Sequence, residues 1–69
     1  MFLPDGLELD GPLHQAIAAA LPDGSSYGFN GYGGRTWMRV VVPGSSDPGL
    51  TRDVLDCALA SLGRPPLPG

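Results

Sequence analysis

Between Gly34 and Pro43 the chain reads Arg-Thr-Trp-Met-Arg-Val-Val-Val, and any fold open to this sequence has to cover that run. β-Branched and aromatic residues dominate it, and they suit a pleated strand better than a helix. Period two puts Trp37, Arg39 and Val41 on one face, and Thr36, Met38, Val40 and Val42 on the other. Both faces are largely apolar, so two layers or a partner must cover them. One charge, Arg39, sits in the middle. A guanidinium in so apolar a strand needs a carboxylate, from the chain itself or from another molecule.

Length makes the covering difficult. A chain of 69 residues buries only about 60% of the surface that its unfolded form exposes. Small scaffolds usually add disulfides, a metal or a partner. Cys57 is the only cysteine and cannot pair within the chain. One histidine, one cysteine and scattered acids make no metal-ligand cluster. A partner chain or self-association is left as the expected supplement.

Charge narrows the partner. A formal net charge of −3 and a pI near 4.5 argue against nucleic acid, which needs clustered Lys and Arg. No apolar run reaches the ~18 residues of a membrane span. Met-Phe-Leu-Pro-Asp-Gly lacks the basic and apolar regions of a signal peptide, so a cytoplasmic location is expected. Lysine is absent, and the Gly, Pro, Ala and Arg bias suggests a GC-rich bacterial genome.

The order of elements follows from local signals. Residues 1–11 read as an extended arm, with turn punctuation and apolar alternation at Leu7 and Leu9. A helix is expected from near Pro12, capped by Asp10 or Gly11, with Leu13, Ile17, Ala20 and Leu21 on one stripe. Pro22-Asp-Gly-Ser ends it. Tyr27 to Tyr32 reads as a short strand, and Gly31, Gly33 and Gly34 supply the turn into the apolar strand. A second helix is expected from about Leu50 or Thr51 to Leu62, with Thr51 as N-cap and Gly63 as C-cap. The fold class is therefore α+β: a small two-layer domain, helix-strand-strand-helix, with an antiparallel hairpin. Residues 12–63 form the domain, between the arm and a Pro-rich tail at residues 64–69.

Thr36-Trp37-Met38-Arg39-Val40-Val41-Val42, followed by Thr51-Arg52-Asp53-Val54-Leu55-Asp56, resembles part of a known family. The pattern is similar to the C-terminal small domain of fold-type I pyridoxal-phosphate enzymes, especially the group II amino-acid decarboxylases. In those enzymes a strand of this form precedes a loop and a helix beginning Thr-x-x-Asp. The resemblance covers roughly residues 12–63, and the loop from Val42 to Thr51 is longer than usual. It implies that Arg39 binds a substrate carboxylate. The family's catalytic lysine, the aspartate at the pyridine nitrogen and the stacking histidine belong to the large domain and have no counterpart here. The chain is thus not catalytic alone and binds no cofactor alone. The resemblance implies an accessory subunit that docks on and completes a larger pyridoxal-phosphate enzyme chain. A freestanding homodimeric interaction module, with two hairpins joined across a two-fold axis, is the alternative.

Individual residues carry paired readings. Arg39 is a carboxylate clamp at an interface, or else it pairs with Asp53 or Asp56 or blocks sheet aggregation as an edge charge. Trp37 is expected to fill the core, or to anchor a partner. Tyr27, Phe29, Asn30 and Tyr32 among glycines form a recognition loop, the three aromatics sharing a partner interface with Trp37, or simply a flexible hairpin end. His14 is expected to be solvated, and Cys57 to be a buried, inert thiol.

Overall fold

The computed structural model describes residues 1–68, so Gly69, the last residue of the expected tail, lies outside the described residues. The order is α1 (Gly11–Ala20), β1 (Ser26–Tyr32), β2 (Arg35–Val41) and α2 (Leu50–Ser61). Two helices and a two-stranded antiparallel sheet make a small α+β domain, in the expected order.

α1 starts where its local chemistry dictates. Asp10 is the N-cap: its carboxylate accepts from the Leu13 N–H at 3.0 Å, and its carbonyl accepts from the His14 N–H. Pro12 fits the first turn because its missing N–H has no partner there anyway. Leu13, Ala16 and Ile17 form the buried face, at the i, i+3, i+4 spacing of a helix stripe.

α2 begins at Leu50, within the expected start, but its cap is not the expected Thr51. Gly49 is its N-cap, with no side-chain cap bond, and Thr51 lies inside the first turn. Asp47 explains the shift: its carboxylate accepts from the Gly49 N–H at 2.9 Å, and its carbonyl accepts from the Leu50 N–H. That turn starts the helix before Thr51 is reached. Asp53 in the first turn suits the helix dipole. At the other end, Gly63 takes φ +71, its N–H bonds the Ala60 carbonyl, and the Arg64 N–H bonds the Leu59 carbonyl. This pair is the Schellman closure that a left-handed glycine permits.

The hairpin register pairs Tyr27 with Val40, Gly28 with Arg39 and Phe29 with Met38. Gly33 and Gly34, at φ +56 and +83, make the two-residue turn, while Gly31 belongs to β1. Positive φ at both central residues gives the twist that a tight hairpin requires.

Both helices lie on the side of the sheet to which Met38 points. Leu13, Ile17, Met38, Leu55 and Leu59 are the fully buried centre, each worth about 1.5–3 kcal/mol of transfer free energy. Tyr27, Phe29 and Val40 pack against that centre from the sheet.

The arm and the tail both join this core. Leu3 and Leu67 are buried with the helical residues. The arm runs antiparallel along β2: Leu3 N–H donates to the Thr36 carbonyl, Met38 N–H to the Met1 carbonyl, and the Met1 amine to the Met38 carbonyl. Partial burial pushes that amine's pKa down. The tail is held from two sides. Arg52 donates to the carbonyls of Leu67 and Pro68, and Asp56 accepts from the Leu67 N–H. Arg64 grips Asp10 with two hydrogen bonds of 3.1 and 2.7 Å.

Candidate functional site

The helices cover only one face of the sheet. On the other, the period of the strands brings out Arg35, Trp37, Arg39 and Val41 from β2 and Tyr32 from β1. Phe2, bridged to Trp37 in the arm, joins them. Phe2, Tyr32, Trp37 and Val41 keep 42, 56, 36 and 53% of their surface exposed. They are the large apolar side chains that the fold leaves outside.

These aromatics are ordered against one another. The Phe2 ring meets Trp37 edge to face at 4.9 Å and Tyr32 at 6.4 Å, the arrangement favoured by ring quadrupoles. The three line a shallow depression. The Arg35 guanidinium stacks 4.5 Å over Phe2, a cation–π contact. Arg39 lies across the hairpin on its register partner Gly28, where a Cβ would come within 3.6 Å of its Nε.

Arg39 therefore departs from expectation in its surroundings. The strand is not buried on both faces, and Arg39 is exposed on the open one. Neither Asp53 nor Asp56 answers it: Asp56 faces Arg52 at 3.6 Å, on the helical side. Among the described residues the ion pairs are Arg52–Asp56 and Arg64–Asp10, and neither Arg35 nor Arg39 takes part in one. The edge-charge reading stays open, because the arm's backbone bonds to β2 reach Thr36 and Met38 and stop short of Arg39.

Trp37 does not fill the core; Met38 does. The four aromatics expected as one surface are divided. Trp37 and Tyr32 share the open face, whereas Tyr27 and Phe29 turn inward against the core. There they meet His14, which is half-buried and not freely solvated. Its Nδ1 lies 3.2 Å from the Tyr27 hydroxyl, which also donates to the His14 carbonyl, and its ring meets Phe29 edge on. His14, Tyr27 and Phe29 form one packed aromatic cluster. Cys57 is exposed rather than buried, because it sits on the outer side of α2.

Phe2, Arg35 and Val41 belong to the open face but did not stand out in the sequence as site residues. Parity was the available signal for Arg35 and Val41, which share the phase of Trp37 and Arg39. Nothing local marks Phe2, since its place depends on the arm's pairing.

No group of three or more His, Cys, Asp or Glu among the described residues is arranged to hold a metal. No helix among them is long and apolar enough to cross a membrane. A second depression, between the arm and the tail, is lined by Leu7, Leu59, Pro65 and Pro66, with Arg64 at its side. That Arg64 is already committed to Asp10, and it holds the Asp10 carboxyl below the usual carboxylate range, with help from the Leu13 N–H. Compared with protein-family models, curated proteins and solved structures, the chain matches none.

Proposed function

We propose that this chain is a non-catalytic accessory module that docks on a larger protein chain through the open face of its sheet. The observation that carries this reading is the gathering of Phe2, Tyr32, Trp37 and Val41 on one uncovered face, beside two arginines that take part in no ion pair among the described residues. Contiguous exposed apolar surface marks interaction sites, and Trp, Tyr and Arg are the residues that most often anchor them. Exposure of Arg39 in the free chain suits the role: docking, rather than folding, would desolvate the guanidinium and strengthen its hold on a carboxylate.

The resemblance of the β2 and α2 sequences nominates the partner class, a pyridoxal-phosphate-dependent chain without a C-terminal small domain of its own. The cofactor does not fit this chain alone. With no lysine in the sequence there is no Schiff-base anchor, and no acid lies in either strand to meet a pyridine nitrogen. Any cofactor chemistry belongs to the larger chain, and Arg39 contributes carboxylate binding to it. Co-expression with such a chain encoded nearby, followed by co-purification and turnover measurement, is the test. Co-elution, with Arg39→Ala raising KM, is expected. A chain that elutes alone while that enzyme is fully active overturns the reading.

One observation favours homodimerisation as a second reading. Thr36 and Met38 turn their backbone groups to the arm, so their partners Gly31 and Phe29 turn theirs away from β2. The outer edge of β1 can accept a second hairpin. Sedimentation velocity separates the readings: a dimer without any larger partner favours this one.

A further inference from the structure

We infer that the open face receives an extended acidic segment of the partner, with carboxylates two residues to either side of an apolar anchor. The inference deepens the docking reading and rests on it. Charge selects the occupant. The chain carries seven acids against four arginines, yet neither strand contains an acid, and the two arginines without ion pairs among the described residues both project from β2. This face is cationic within an acidic molecule, so complementary charge brings in an acidic partner and turns away a basic one.

Spacing selects the form. Arg35, Trp37 and Arg39 stand at i, i+2 and i+4 of one strand, so the two arginine positions lie about 13 Å apart with the indole between them. An extended peptide repeats that period. Its residues i and i+4 meet the guanidinium groups when they are Glu or Asp, and residue i+2 enters the depression between Phe2, Tyr32 and Trp37. The edge-to-face packing of Phe2 on both neighbours leaves a notch suited to a side chain such as Leu, and offers no broad stacking platform for bases.

Trp37 is the only tryptophan, so its emission reports the site directly. The probe is the capped peptide Gly-Glu-Ser-Leu-Ser-Glu-Gly, titrated into the full chain at low salt. Controls carry Lys for Glu, Ser for Leu, or both Glu residues moved next to Leu; an oligothymidylate serves as a separate ligand. Saturable change with the first peptide, at least about tenfold weaker for each control peptide and for the Arg35→Gln/Arg39→Gln double variant, is the expected result. Both substitutions fall on exposed side chains, and circular dichroism checks that the fold is kept. Equal binding of the basic peptide, equal binding of the shifted-acid peptide, tighter binding of the oligothymidylate, or no binding overturns the inference. Co-purification with a larger chain despite any of these leaves the docking reading standing and removes only this occupant.

Discussion

At the scale of single residues, the four arginines divide by the company they keep. Arg52 and Arg64 are fasteners that hold the tail to α2 and to the cap of α1. On the open face Arg35 stacks over Phe2 and Arg39 lies against Gly28, and among the described residues neither takes part in an ion pair. The Asp10–Arg64 contact makes stability depend on acid. Hydrogen bonds from Arg64, then from the Leu13 N–H, lower the Asp10 pKa below its unfolded value. A depressed carboxyl contributes stability above the unfolded pKa and loses it as pH falls through the folded one. Thermal melts from pH 6 down to pH 2 should therefore show Asp10→Asn less stable than the parent at pH 6, with the two curves converging in acid. A constant gap across the range contradicts this account. The place before Pro12 left Asp10 and Gly11 as candidate caps, and nothing in it pointed to the partner of Asp10, since Arg64 lies 54 residues away and no local pattern encodes that pairing.

At the scale of elements, the hairpin and the helix ends carry the most readable chemistry. Gly33 and Gly34 both need positive φ, and a Cβ at either would meet nothing within 4 Å. Any cost of substitution there is conformational. Gly34→Val is expected to lose about 1–2 kcal/mol, whereas Gly33→Asn should be close to neutral, because asparagine is at home in the first position of this turn. Denaturant unfolding of the two variants checks the contrast, and equal losses would mean that the turn is of another type. Element order, the Asp10 cap, the Gly63 closure and the phase of β2 all follow from short-range rules. The side of β2 that the helices cover does not. Both sides are apolar, so burying Met38 and burying Trp37 were equally consistent with period two. The decision came from packing: Met38 joins Leu13, Ile17 and Leu55 in the buried cluster, and the larger indole is left outside. The exposure of Cys57 and the partial burial of His14 differ from expectation for the same reason, because both depend on which helix faces meet.

At the scale of the whole molecule, a chain this short reaches a closed core by recruiting its ends. Leu3 from the arm and Leu67 from the tail complete what the helices and hairpin leave open, so the boundaries at residues 11 and 64 mark a change of element and not of core. Domains of this length have roughly 3–10 kcal/mol of stability, and Leu67→Ala should remove about 2–5 of it. A chemical-denaturation midpoint unmoved by that change would show the tail to be dispensable. What recruitment of both ends still does not cover is the outer face of the sheet, and the docking account depends on that face being open and cationic in the free chain. Quenching of Trp37 fluorescence measures both properties at once. Iodide, drawn in by Arg35 and Arg39, should quench the solvent-exposed indole far more strongly than caesium at the same ionic strength, and Arg35→Gln/Arg39→Gln should bring the two together. A blue-shifted emission that neither ion can quench would place Trp37 in the interior and contradict the account.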